Sequence, residues 1–315
     1  MTEQTAESVE QVLRDELVRG DAVIAAARPI LRHLLASEDS ALFSDEMIAR
    51  VRGMVLDVAQ QLLLAQAAAA EAQDRSGYAA ARHEALAQAL LADTVLVAHA
   101  HALALEAHLA EQLQARDGID PVLTPLIEEL ASAPAPGTAE LAIGVLAAQA
   151  RFQQHCRRME LPVCELPGEL FHRALVLLRE RAGAVDDPAA ERAEARLRAA
   201  YDEAGGRIGL IARLATSLGP EFSRALAVDR AGLAIFATAL SVATAQERDL
   251  VILSLAEVHG ARFALSLRAA GLGQQSAVEQ LLHFRPGIAL PSGFERLGSD
   301  RAVVLLAASA PEAGA

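Results

Sequence analysis

Apolar residues recur along this chain at three- and four-residue intervals, the period of an α-helix packed on one face. Residues 6–19 carry Val9, Leu13 and Leu17 at fourfold spacing. A second segment starts at Asp21, read as its N-cap, and is bent or broken at Pro29. Ser44 reads as the N-cap of a third, with Asp45 and Glu46 in the first turn where the helix dipole favours acids. Ile48, Val51, Val55, Val58, Leu62, Ala65 and Ala69 then form a heptad-like seam, as antiparallel helices in a bundle require. After "QDRSGY" a long Ala/Leu helix is expected from Tyr78 to Ala115. Thr124–Pro125 begins a short helix as N-cap and N1 pair.

The second half repeats the pattern. Leu141, Val145, Ala148, Phe152 and Met159 give a seam that ends in "ELPVCELPGELF", where Pro162 and Pro167 interrupt the helix. Asp187–Pro188 restarts it. Leu197, Tyr201, Ala204, Ile208, Ile211, Ala215 and Leu218 continue it, with Gly205, Gly206 and Gly209 off the seam marking a kink or a close helix crossing. The charge-free run at 231–245 is short of the ~20 residues of a membrane span and reads as a buried core helix. Thr244 with Glu247 suggests a capping box for a helix over 245–258. Gly271 is placed as a left-handed C′ residue with Leu272 as its apolar partner. Val278, Leu281 and Leu282 mark a helix before "RPG". The run at 301–309 is ambiguous between helix and strand, and the tail "APEAGA" is expected to fray. The fold class is therefore all-α: packed antiparallel helix pairs, as a helical bundle or a HEAT-like array. "ASAPAPGT" at 131–138 is the best linker, dividing an N-terminal bundle region (1–133) from a C-terminal array region (139–315).

Two stretches carry a family resemblance. "RALAVDRAGLAIFATALSVATAQERDLVILSLAEVHGARFALSLRAAGL" resembles the C-terminal part of the alphaproteobacterial domain of unknown function 2336 family, through its Arg-Ala-Leu start, its Phe-x-x-Ala-Leu helix and its "RAAGL" ending. "ARPILRHLLASEDSALFSDEMI" is similar to an earlier helix and linker of that family. The resemblance covers under a quarter of the chain. It implies an array of packed helix pairs and no activity.

Composition narrows the function classes. Hydrophobic residues make up 53% of the 315, which supports a sizeable core, while aromatics are only 3% with no Trp, which suits close helix packing. The net charge of −13 disfavours nucleic acid and anionic lipid as partners. All the cationic side chains besides His are Arg; Lys and Asn do not occur. Walker-type phosphate loops, Schiff-base catalysis and kinase-type Lys–Glu pairs are thereby excluded. The polar, acidic first residues lack the form of a signal peptide, so a soluble, cytoplasmic protein is expected.

Two histidine segments remain. In "VLVAHAHALALEAHLAEQL" (95–113) a helical wheel with Asp93 at zero puts His101 near 80° and His108 near 60°, on a polar stripe with Glu111 and Gln112. His99 and Glu106 fall on a second narrow strip near 240° and 220°. The histidines are thus expected on the wet side of the helix. His101 and His108 lie roughly 10 Å apart along the axis, so only His108 with Glu111 has metal-compatible spacing and a metal would need ligands from another helix. His83 falls on the same stripe and would join a pH-sensitive surface. In "HCRRMELPVC", His155, Cys156, Cys164 and the downstream His172 have zinc-compatible types without zinc-ribbon spacing. The simpler reading is buried cysteines acting as small hydrophobes. The pairs Glu128–Glu129 and Asp186–Asp187 read as caps and solvated faces, and Arg192, Arg196, Glu191 and Glu194 as a mixed-charge surface. No catalytic constellation and no cofactor motif assemble. The expectation is a non-enzymatic scaffold or adaptor with a protein partner or a homo-oligomer. The alternative is a ligand- or metal-responsive sensor built on the His-rich helix.

Overall fold

The computed structural model describes residues 3–36, 44–181, 188–287 and 293–309. Among the described residues every regular element is helical, and the all-α class is what the chain adopts. The helices are α1 (Glu3–Ala36), α2 (Asp45–Ala69), α3 (Arg75–Ala92), α4 (Thr94–Asp117), α5 (Pro125–Ala131), α6 (Pro136–Arg158) and α7 (Gly168–Arg181). They continue with α8 (Pro188–Ala200), α9 (Arg207–Ser217), α10 (Val228–Thr244), α11 (Arg248–Ala256), α12 (Ala261–Ala269), α13 (Gln274–Phe284) and α14 (Ser299–Ala308). Three 3-10 turns, Val163–Glu165, Gly219–Leu226 and Phe294–Arg296, complete the described elements. No single helix among the described residues is long and apolar enough to cross a membrane.

Contacts divide the chain into two interleaved units. The first comprises 1–27, 105–146 and 211–315; the second comprises 28–104 and 147–210. Residues 131–138, where composition suggests a boundary, fall inside the first unit as the short connection between α5 and α6.

In the second unit, α2 and α3 form a hairpin across residues 70–74, and α2 also packs on α7 and α8. The expected seam supplies its core: Val51, Val55, Val58 and Leu62 are buried, joined by Met54, Ala59 and Leu63. Ser44 caps α2, its side chain accepting from the Met47 amide. At the other end of α2 the Arg192 guanidinium donates to the Ala69 carbonyl.

In the first unit, α10 packs on the turn at 219–226, on α5, α11 and α12, and α12 packs on α13 and α14. Phe236, Phe263 and Phe284 form its aromatic centre, with ring centroids 5.3–6.1 Å apart. Of the run at 231–245 expected to be buried, residues 231–240 of α10 are all buried, whereas 241–245 are not, Val242 being exposed. The helix is interrupted at Gly232 (φ 73°), where a Cβ would lie 2.5 Å from Thr124 Cγ2. Thr124 caps α5 as expected, and Gly271 (φ 88°) closes α12 with the Leu272 amide donating to Leu267 O. The ambiguous run at 301–309 lies in α14.

Several local expectations are corrected. The helix expected over 78–115 is broken at Asp93, whose carboxylate accepts from the Val95 and Leu96 amides and so caps α4. α1 continues across Asp21 and Pro29, so neither starts nor breaks a helix, and the Asp21 side chain is an ion-pair partner instead. Thr244 belongs to α10, its hydroxyl donating to Leu240 O; Glu247 is the N-cap residue of α11 without a side-chain cap, so no capping box forms. The seam from Leu197 to Leu218 is two helices, parted at 201–206 where Gly205 and Gly206 fall, while Gly209 lies inside α9. The Asp187 cap, Asp186 and the tail at 310–315 lie outside the described residues.

Candidate functional site

The second unit holds a small cavity, and the turn after α6 builds it. α6 ends with Met159 in the left-handed region (φ 57°), the Glu160 amide donating back to His155 O at 2.9 Å. The Pro-bounded segment that follows is stitched to α2. Leu161 N donates to Asp57 Oδ2 (2.9 Å), Gln61 Nε2 donates to Leu161 O (3.0 Å), and Val163 N donates to Gln61 Oε1 (3.0 Å). On the far side the Tyr201 hydroxyl donates to Leu166 O (2.7 Å) while its ring stacks on Phe171 at 4.1 Å. Glu165 Oε2 accepts from the Arg207 amide (2.8 Å) at the start of α9.

The cavity's polar lining is His99, His155, Glu160, Glu165 and Arg207, among apolar side chains that include Met54, Leu103 and Phe152. Its volume is about 30 Å³, room for one or two waters rather than a metabolite. His155 Nδ1 lies 2.8 Å from Glu160 Oε2. The Arg207 guanidinium is buried, donates to Gln149 Oε1 (3.2 Å) and stacks over the Phe152 ring at 3.6 Å. Burial raises the Asp57 carboxyl pKa, opposed by the Leu161 and Gln61 hydrogen bonds. The space they enclose suits water held against a hydrogen-bonded turn.

The histidine helix differs from its expected disposition. From Leu96 to Ala110, α4 is covered nearly all round, so it has no wet face in this stretch. His99 and His101 are 5% and 6% exposed, and burial lowers the His101 pKa from 6.5 to about 4. Only the end of the expected polar stripe reaches solvent. His108 is half-buried and accepts from Gln112 Nε2 at 2.9 Å, and Glu111 is exposed. His83 is on α3 and donates to Leu56 O at 3.1 Å. Glu106, 1% exposed, meets Arg248 through two hydrogen bonds in the interior of the first unit.

The Cys/His segment is dispersed. His155 pairs with Glu160, Cys156 is buried, Cys164 is exposed, and His172 accepts from Arg198 on an exposed face. Burial and the neighbouring Glu165 charge raise the Cys164 thiol pKa. Among the described residues no three His, Cys, Asp or Glu side chains are grouped to hold a metal ion. The mixed-charge surface has one exception: Glu194 is buried and takes both Arg179 and Arg198. Gln149 and Gln153 on α6 are buried too, on the face one residue over from the expected seam. A lone acid such as Glu106 inside an Ala/Leu run signals a buried partner, but nothing in the sequence points to Arg248.

No family model, no curated protein and no solved structure matches the chain.

Proposed function

We propose that the chain is a non-enzymatic helical scaffold or adaptor that docks a protein, either a second copy of itself or a different partner. The observation that carries this reading is Val258, a large apolar side chain 80% exposed on a corner fixed from several sides. Glu257, just before it, is buried; its carboxylate accepts from the His259 (2.5 Å) and Gly260 (3.0 Å) amides. The Glu257 carbonyl is held by the Arg285 guanidinium, and the His259 ring lies 2.7 Å from Glu16 Oε2. Val12 and Val23, also exposed, share the edge of α1 that carries Glu16. An apolar group displayed on a rigid corner loses little entropy on docking, as an interface anchor should. The −13 charge weighs against nucleic acid as the partner. The reading takes the cytoplasm as the place of action, from composition alone.

Native mass spectrometry and sedimentation of wild type and Val258→Asp test it. A complex, with itself or with a co-purifying protein, that weakens in the variant is the expected result. A monomeric wild type whose companions are unchanged by the substitution overturns it.

A further inference from the structure

We propose that the exposed edge of α1 docks a second copy of this chain, the two α1 helices running antiparallel across a two-fold axis between residues 17 and 18. The inference rests on the scaffold reading and names its partner. With Val9 at zero on a helical wheel, the stripe buried in the core, Val9, Leu13, Leu17 and Gly20, spans about 0° to 80°. A second stripe runs beside it at about 280° to 340°: Val12, Glu16, Arg19 and Val23. Its gaps of four, three and four residues are those of a coiled-coil seam. Val12, Arg19 and Val23 are exposed, and Glu16 is half-buried. Asp15, the next exposed acid, is turned away at about 240° and accepts from Gln11.

Reversed, this stripe matches itself. In an antiparallel pair centred between residues 17 and 18, Val12 faces the partner's Val23 and Glu16 faces the partner's Arg19, and the symmetry makes each contact twice. Within one chain Arg19 Nη1 donates to Glu16 Oε1 at 2.7 Å. Two such pairs meeting at the axis close a ring of alternating charge, with valine contacts on either side. The corner that displays Val258 adjoins this centre, because the His259 ring lies 2.7 Å from Glu16 Oε2. Each copy therefore brings an exposed Val258 beside the axis. Two chains of charge −13 repel at a distance, so a face that receives a second copy has to be neutral where it touches. This stripe carries one acid and one base. A different partner would have to present valine, base, acid and valine in that order; a second copy presents them by symmetry.

Sedimentation and native mass spectrometry of the full chain test this by charge reversal. Wild type should be a dimer. Arg19→Glu sets two acids against each other across the axis, and Glu16→Arg sets two bases, so each variant alone should dimerise about tenfold or more weakly. Mixed in equal amounts, the two should pair with each other, because both contacts across the axis then join opposite charges. Val12→Asp mixed with Val23→Arg asks the same question at exposed positions that leave Glu16 and its contact with His259 untouched. Dimers lost in the single variants and regained in either mixture are the expected result. A wild-type dimer that ignores the reversals, or a dimer that returns in neither mixture, overturns this face and leaves the scaffold reading standing. A monomeric wild type overturns the second copy as partner. The scaffold reading then falls with it only if no co-purifying protein is lost on Val258→Asp.

Discussion

Glu106 and Arg248, 142 positions apart, form a bidentate ion pair at 2.7 and 2.9 Å with the carboxylate almost wholly excluded from water. Arg248 Nε also donates to Thr238 Oγ1 at 2.9 Å, so its fork is engaged on two sides. Desolvating two charges offsets much of their attraction, so the pair contributes little net stability while either partner alone is costly. Arg248→Met should therefore destabilise the protein by about 3–5 kcal/mol, because Glu106 remains buried without its cation. The double variant Arg248→Met/Glu106→Leu should recover most of that loss. A urea double-mutant cycle reads the coupling; additive losses would show that the two residues act separately.

His101 makes stability depend on pH in the acid range. Its pKa is lowered to about 4 in the fold, against 6.5 for the exposed group. The unfolded chain therefore takes up the proton first. The contribution is complete above pH 6.5 and is lost as pH falls toward 4. Between pH 7 and pH 4.5 the loss is about 2–3 kcal/mol. Asp57, with its pKa raised, acts in the opposite direction and softens the slope. His101→Leu should flatten the pH dependence of the urea midpoint in this range. An unchanged slope in the variant would show that other groups carry it.

How much of this was legible in the sequence depends on how local the determining physics is. Ser44, Thr124–Pro125 and Gly271–Leu272 act within one turn of themselves, and each cap forms as read. The helical class follows from periodicity, which is equally local. Burial of α4 is a different matter. A wheel separates polar from apolar sides, but it cannot say that a helix is surrounded, so His99, His101 and Glu106 looked like a wet strip. Asp93 illustrates a local signal overruled by a stronger one: good helix formers flank it, yet its carboxylate caps the helix that follows and takes Arg173 at 2.6 Å. The cavity was half legible. His155 stood out by type, but Arg207 and Asp57 reach the turn after α6 from sequence positions up to about a hundred residues away.

Gly53 and Met159 should behave as a coupled pair. A Cβ on Gly53 would lie 2.6 Å from Met159 Cβ, so α2 needs glycine there for the turn after α6 to sit against it. Met159 holds a left-handed conformation that costs a non-glycine residue roughly 1 kcal/mol. Met159→Gly should leave the melting temperature unchanged or raise it, the relieved strain offsetting a half-exposed contact. Gly53→Ala should lower it by several degrees, about 1–3 kcal/mol of overpacking. In the double variant the Gly53→Ala penalty should largely vanish, because the atom it strikes is gone. Thermal unfolding of the four proteins settles the point, and additivity would mean the alanine meets something other than the Met159 side chain, such as the Met159 carbonyl 3.2 Å away.

Cysteine reactivity separates exposure from activation. Cys164 is on the surface, yet partial burial of its sulfur and the adjacent Glu165 charge raise its pKa, so little thiolate is present at neutral pH. Cys156 is buried in the core face of α6. Iodoacetamide at pH 7 should therefore label Cys164 more slowly than a free thiol and leave Cys156 intact until the protein unfolds. Raising the pH to 9 should accelerate Cys164 steeply, since the rate follows the thiolate fraction. Glu165→Gln removes the neighbouring charge and should move the Cys164 pH–rate profile to lower pH. Rapid labelling of Cys164 at pH 7 would instead mark an activated thiol and revive the Cys/His segment as a reactive site. The dispersal of its other members argues against that outcome: His155 is committed to Glu160, and His172 accepts from Arg198.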